Sequence, residues 1–122
     1  MFDPFAVARV LICEPHDDIT ALLELVVRRL GHEPVVCSDP SVEHIGVDAA
    51  VIEPGDEQGL RIAHTLKAQG VPVLFTSIYP ADDSTLALEP SSYLVKPFPL
   101  YALERALEHA LVPAPHASVV AI

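Results

Sequence analysis

Four polar residues that could bind a metal ion or a phosphoryl group each stand at or just after the end of a short apolar run: Glu14, Glu53, Ser77 and Lys96. Apolar runs of this length, rich in β-branched residues, are typical of strands buried on both faces of a parallel sheet. The carboxyl ends of such strands meet at one edge, where ligands usually bind in open α/β sheets. Two carboxylates, a hydroxyl and an ammonium at that edge would suit an acidic metal site or a phosphate site.

The elements that would position these residues alternate along the chain. Apolar runs bounded by turn residues predict five strands, over 8–13, 34–37, 47–52, 71–77 and 92–96. Helical spacing predicts helices over 19–30, 57–69, 84–88 and 99–111, and only one or two turns over 41–45. We expect Asp17 or Asp18 to cap the first helix, and Gly31 and Gly70 to end the first two long helices.

This alternation predicts one flavodoxin-like, doubly wound parallel sheet with strand order 2-1-3-4-5. The helix after the second strand and the helix after the fourth strand are both shortened. In this order the first and third strands are neighbours, so Glu14 and Glu53 meet at the switch point of the sheet.

Composition places the chain among single-domain globular proteins. Its 122 residues are 51% apolar and 20% charged, and we expect one domain over 1–122 with a core over 8–112 and a mobile tail over 113–122. A formal charge of -10 argues against nucleic-acid and anionic membrane partners. The sequence has neither a membrane-span-length apolar stretch nor a signal peptide, so we expect a cytoplasmic protein.

The two cysteines form no CxxC motif, and the histidines have no metal-ligand spacing. Cys13 and Cys37 end strands that should be neighbours. A redox pair and two inert buried thiols both fit this placement, and the second interpretation is favoured.

Two segments resemble the receiver domain of bacterial response regulators. The segment 93–98, Tyr-Leu-Val-Lys-Pro-Phe, is similar to the family's fifth strand with its lysine and following cis-proline, and 72–77, Pro-Val-Leu-Phe-Thr-Ser, to the fourth strand with its switch hydroxyl. The resemblance covers roughly Arg9 to Leu111. It rests on the order and spacing of the motifs together rather than on any one of them.

The resemblance implies a role for each residue at the strand ends. In the family two acids bind Mg²⁺, an aspartate accepts a phosphoryl group from a histidine kinase, a hydroxyl and a lysine contact that group, and an aromatic residue reorients. The matching positions here are Glu14 and Pro15 for the acids, Glu53 for the acceptor, Ser77 for the hydroxyl, Lys96 with Pro97 for the lysine motif, and Tyr93 for the aromatic switch.

Two positions depart from the family pattern. Pro15 has no side-chain oxygen, so Mg²⁺ loses a ligand and would bind weakly at most, and we expect no cofactor. His16 or Asp17 could replace that ligand. Glu53 is a methylene longer than aspartate, which makes it a poor acceptor that partly imitates a phosphorylated aspartate. An ion pair between Glu53 and Lys96 is expected to result.

The sequence therefore predicts an atypical, non-enzymatic receiver, a pseudo-receiver in a bacterial two-component or phosphorelay pathway. Only a short segment follows Leu111, so we expect it to stand alone, as a monomer or homodimer. Its expected partners are signalling proteins: a histidine kinase, a phosphotransfer protein or another regulator.

Several alternatives remain open at this point. Phosphorelay activity could use another acceptor, Asp56 or Asp17. A small metal-dependent hydrolase could use Glu14, His16 and Glu53. Ser77 could simply bond a nearby backbone group, and Tyr93 could be a half-buried core aromatic; each of these fits the sequence about as well as a switch role, or slightly better.

Overall fold

The computed structural model describes residues 7–37 and 46–111. In this part of the chain five parallel strands form one sheet in the order β2-β1-β3-β4-β5, which confirms the predicted topology. The strands are β1 Arg9–Cys13, β2 Glu33–Val36, β3 Ala49–Ile52, β4 Val73–Ser77 and β5 Ser92–Val95. Central β3 is buried at every residue, while β2 lies at an edge, as its proline predicts.

Four helices lie within the described residues: α1 Asp17–Arg29, α2 Glu57–Ala68, α3 Asp83–Leu86 and α4 Leu100–Leu111. The four-residue α3 agrees with the predicted shortening after β4. The turns predicted over 41–45 and the tail over 113–122 lie outside the described residues. Within 7–37 and 46–111, none of the helices combines the length and apolar character that a membrane crossing requires.

Two buried layers enclose the sheet because successive residues of each strand point to opposite faces. The layer on the α2 side includes Leu11, Ile52, Phe75, Ile62 and Leu66. The layer on the side of α1 and α4 includes Val10, Ile12, Leu74, Leu23 and Leu103. Packing on both faces fixes the positions of the strands whose ends carry the polar residues.

The cap of α1 differs from the prediction. His16 is the N-cap, without a side-chain hydrogen bond, and Asp17 and Asp18 lie in the first turn. The carbonyl of His16 already accepts the first helical bond, from the N–H of Thr20 at 2.9 Å, so the helix begins one residue before a cap at Asp17 would allow. The two acids instead lie near the positive end of the helix dipole.

The other helix ends follow the sequence more closely. Asp56 caps α2 by accepting from the N–H of Gln58, and Asp82 caps α3 in a reciprocal capping box with Thr85. Gly31 and Gly70 adopt φ angles of 86° and 79° just after α1 and α2. This conformation strongly favours glycine, so both predicted stop residues are confirmed.

Candidate functional site

Lys96 joins two carboxylates at the carboxyl edge of the sheet. Its Nζ lies 3.0 Å from Oε2 of Glu53 and also contacts Oε1 of Glu14. The side chain of Glu14 is 0% exposed, and those of Lys96 and Glu53 are each 11% exposed. The predicted pair of Glu53 and Lys96 is therefore present, within a larger buried group, the Lys96 triad, which consists of Glu14, Glu53 and Lys96.

Ladder hydrogen bonds just beyond the strands hold the backbone of the triad. The N–H of Glu53 donates to the carbonyl of Cys13 at 2.9 Å, and the N–H of Lys96 donates to the carbonyl of Ser77 at 2.7 Å. The hydroxyl of Thr20 donates to the carbonyl of Glu14 at 3.1 Å. The sheet thus continues one residue past β3 and β5 and brings their polar residues to one level.

The carboxylate oxygens that do not face Lys96 have other partners. Oε1 of Glu53 accepts from the N–H of Gly55 at 2.9 Å. Oε2 of Glu14 lies 3.3 Å from the backbone nitrogen of His16 and 3.1 Å from its ring Nδ1. All four carboxylate oxygens of the triad are therefore in contact with a hydrogen-bond donor or a ring nitrogen. This is how buried carboxylates are usually stabilised.

Two glycines allow α2 and its preceding turn to pack against Glu53. A Cβ on Gly59 would lie 2.5 Å from the carbonyl oxygen of Glu53, and a Cβ on Gly55 would lie 3.0 Å from its Oε1. Neither glycine was predicted as a site residue. The sequence does carry one signal for Gly59, which lies in the first turn of a predicted helix. Glycine costs about 1 kcal/mol relative to alanine in a helix, so its presence there indicates close packing.

The carboxylates keep Lys96 charged despite its burial. Burial lowers the pKa of Lys96, but its hydrogen bonds and charge interactions with Glu14 and Glu53 together raise that pKa above its ordinary value. The ammonium therefore stays protonated through the neutral range.

Ser77 and Tyr93 both engage the backbone of Tyr79. Oγ of Ser77 accepts from the N–H of Tyr79 at 3.1 Å, and the hydroxyl of Tyr93 donates to the carbonyl of Tyr79 at 2.9 Å. The ring of Tyr93 meets Phe75 edge-on, with centroids 6.1 Å apart. Of the four polar residues predicted at this edge, Glu14, Glu53 and Lys96 therefore contact one another. Ser77 instead bonds to a nearby backbone group, which is the alternative to a switch role that the sequence left open.

The donor set does not fit a magnesium ion. Lys96 takes one oxygen from each acid, and Pro15 contributes no side-chain oxygen, whereas Mg²⁺ requires nearly octahedral oxygen ligands. His16 faces Glu14, and Asp17 lies in the first turn of α1. Among residues 7–37 and 46–111, no group of three or more His, Cys, Asp or Glu side chains is placed to hold a metal ion.

Comparison with known proteins identifies the fold through structure rather than sequence. No protein-family model matches the chain, and no curated protein matches it. The chemotaxis response regulator CheY4 of Vibrio cholerae is 18% identical with a TM-score of 0.74, and the match covers 87% of this chain and 100% of CheY4.

Two further receiver domains superimpose equally well. The BeF3-activated DrrB receiver domain is 14% identical with a TM-score of 0.75, covering 87% of this chain and 98% of that one. The receiver domain of a modulated diguanylate cyclase from Desulfovibrio desulfuricans is 22% identical with a TM-score of 0.74, covering 96% and 100%. The bond between Lys96 and Pro97 is also cis, as the resemblance implies. The chain therefore has the fold of CheY-like response regulator receiver domains.

Proposed function

We propose that this chain is an atypical receiver that signals by binding other proteins of a bacterial two-component pathway, without transferring a phosphoryl group. The observation that supports this most directly is the Lys96 triad. In it the residue at the phosphoacceptor position, Glu53, is already paired with a lysine and a backbone N–H. The protein is then a cytoplasmic binding module rather than an enzyme.

The state of Glu53 argues against phosphoryl transfer. An acceptor carboxylate needs an accessible oxygen that can attack phosphorus, with a cation to neutralise the charge of the incoming group. Oε1 of Glu53 accepts from Gly55 and Oε2 contacts Lys96, and the whole residue is only 9% exposed. The added methylene places the carboxylate of Glu53 against Lys96, where a phosphorylated aspartate would place its phosphoryl oxygens.

A candidate binding surface consists of exposed side chains that lie near Ser77 and Lys96 in the chain. Ile78, Tyr79 and Tyr101 are 62%, 66% and 61% exposed, and Val95 on β5 is also exposed. Arg105 lies 5.5 Å from the centre of the Tyr101 ring. Exposed tyrosine and arginine are typical of protein interfaces. The backbone of Tyr79 connects this surface to Ser77 and Tyr93, so a partner bound here would contact the loop that these two residues hold.

Intact-mass spectrometry after incubation with acetyl phosphate and Mg²⁺ tests the loss of phosphoryl transfer. We expect no phosphorylated species for the natural chain, and a measurable fraction for a variant with Pro15→Asp and Glu53→Asp, which serves as the positive control. Phosphorylation of Glu53 in the natural chain would overturn the proposal. Phosphorylation of Asp56 or Asp17 would replace it with phosphorelay through another acceptor.

Binding to purified histidine kinases, phosphotransfer proteins and regulators tests the partner role. Tyr101→Ala should weaken binding at least several-fold if the exposed surface of β5 and α4 is used, because interface tyrosines commonly contribute more than about 1 kcal/mol. His64→Ala, on the exposed side of α2, is the matched control and should leave affinity unchanged. Equal affinities for the natural chain and the Tyr101 variant would rule out this surface.

A further inference from the structure

Cys13 and Cys37 are direct neighbours across β1 and β2. The register pairs Ile12 with Val36, and the N–H of Cys37 donates to the carbonyl of Ile12 at 2.9 Å. This bond extends the parallel ladder by one residue and sets Cys37 opposite Cys13. Both cysteines also belong to the same side of the core.

The separation of the two backbones suits a disulfide. Neighbouring strands lie about 4.8 Å apart, and a disulfide joins residues whose Cα atoms are about 4.4–6.8 Å apart. Facing residues of a parallel pair point to the same side of the sheet, so the two sulfur atoms do not have to cross the backbone. Both residues are thiols in this structure.

We propose that Cys13 and Cys37 form a redox modification site, which a peroxide converts into a reversible disulfide beside the Lys96 triad. The proposal is independent of the proposed signalling role. It rests on the pairing of two thiols across the β1–β2 ladder, and it would hold for this chain whether or not Glu53 accepts a phosphoryl group.

The two thiols differ in a way that sets the order of the reaction. Cys13 is 9% exposed, whereas Cys37 is only partly buried. Burial, followed by the charge of Cys37 and a hydrogen bond with it, raises the pKa of the Cys13 thiol. Cys37 is therefore the residue that meets an oxidant first, and Cys13 is the resolving thiol.

The chemical steps balance with hydrogen peroxide as the oxidant. The thiol of Cys37 releases its proton, the resulting thiolate attacks one peroxide oxygen, and the O–O bond breaks, so Cys37 becomes a sulfenic acid. The departing hydroxide takes up the released proton and leaves as the first water. The sulfur of Cys13 then attacks the sulfur of Cys37, the S–S bond forms, and the S–O bond breaks. The departing oxygen leaves as water with the thiol proton of Cys13. Two thiols are oxidised, and one peroxide is reduced to two waters.

The position of this bond links it to the Lys96 triad. The carbonyl of Cys13 accepts from the N–H of Glu53 at 2.9 Å, and Glu14 follows Cys13 in the chain. A disulfide fixes its two Cβ atoms about 3.8 Å apart, so it constrains β1 against β2 at the residue that precedes Glu14 and bonds to Glu53. That constraint acts on the backbone of both acids.

The test uses the natural chain treated with hydrogen peroxide, with thiols blocked at the end of the reaction. Intact-mass spectrometry should show the loss of two hydrogens, reversed by dithiothreitol. Trypsin cleaves after Arg9, Arg28, Arg29 and Arg61, so the oxidised protein should yield peptide 10–28 linked to peptide 30–61. In the same sample, the amide signals of Glu14 and Glu53 should change in a ¹H–¹⁵N spectrum.

Variants identify the order of attack. Cys13→Ser should trap a sulfenic acid that dimedone labels at Cys37, whereas Cys37→Ser should remain unlabelled because Cys13 is buried. Oxygen addition without a linked peptide, a disulfide between two copies of the chain, or no reaction would each overturn the proposal. An oxidised protein with unchanged Glu14 and Glu53 amide signals would overturn the link to the triad. The peptide map of the natural chain decides the main question even if a variant fails to fold.

Discussion

The ammonium of Lys96 lies 3.0 Å from Oε2 of Glu53, and the same ammonium contacts the fully buried carboxylate of Glu14. Lys96, which follows β5, thus links an acid that follows β1 to an acid that follows β3. The three charges lie at the carboxyl edge of the sheet, where they are paired with one another. The consequences can be measured in stability, in pH dependence and in ligand binding.

Removing the lysine should destabilise the protein strongly. Lys96→Ala leaves two buried carboxylates without their cation, and breaking a buried ion pair in this way costs about 3–5 kcal/mol. Urea unfolding of the variant and the natural chain measures this loss. Lys67→Ala is the matched control, since Lys67 donates one exposed hydrogen bond to the carbonyl of Glu89; its loss should be about 1 kcal/mol or less. Equal losses for the two variants would mean that the triad contributes nothing beyond an ordinary surface contact.

The same lysine predicts a loss of stability at alkaline pH. Its pKa in the folded protein is raised above the ordinary value of 10.5. A raised pKa means that the contribution of Lys96 is fully present below the unfolded-state pKa and is lost as pH rises through the folded-state pKa. The difference in thermal stability between the natural chain and Lys96→Met should therefore shrink above about pH 10.5. A difference that stays constant into strongly alkaline solution would contradict this coupling.

The close approach of α2 to Glu53 should make Gly59 intolerant of a side chain. In Gly59→Ala the added carbon would lie 2.5 Å from the backbone oxygen of Glu53. We expect a loss of about 1–3 kcal/mol despite the better helix propensity of alanine. Gly55→Ala should cost less, because its Cβ meets the end of the Glu53 side chain at 3.0 Å. Chemical denaturation of the two variants gives the comparison, and a stabilised Gly59→Ala protein would show that α2 can move away freely.

Two buried threonines should respond oppositely to the same substitution. The hydroxyl of Thr76 is buried without a hydrogen-bond partner among the described residues, so Thr76→Val should leave stability unchanged or raise it by up to about 1 kcal/mol. The hydroxyl of Thr85 belongs to the capping box of α3, so Thr85→Val should lower stability by about 1 kcal/mol. Thermal melts of the two variants compare them directly. A clear loss in Thr76→Val would reveal a partner for that hydroxyl.

The strand order and the contact among Glu14, Glu53 and Lys96 could be predicted from the sequence. Both depend on the order of strands and helices along the chain. Alternating strands and helices leave few allowed topologies, and the topology decides which strand ends are neighbours. The pairing of opposite charges at a buried edge then follows from the cost of burying either charge alone. For the same reason the ion pair between Glu53 and Lys96 could be predicted.

The finer arrangement depends on local competition for hydrogen bonds, which residue types alone do not decide. His16 rather than Asp17 is the cap of α1, because the first helical bond forms one residue earlier. Ser77 and Tyr93 both turn to the backbone of Tyr79. The glycine in the first turn of α2 indicates close packing there, but only the structure shows that the contact is with the backbone oxygen of Glu53. Shifts of a few ångströms decide each of these contacts. The spacing of apolar residues along the chain does not specify such shifts.

Calorimetric titration with Mg²⁺ tests the central claim, that the Lys96 triad is closed to a divalent cation. The natural chain should show no binding over a concentration range that saturates the variant with Pro15→Asp and Glu53→Asp. Glu53→Asp alone should bind only weakly, because Pro15 still contributes no oxygen. Binding by the natural chain with the affinity of the double variant, or equal affinities for the single and double variants, would contradict the account.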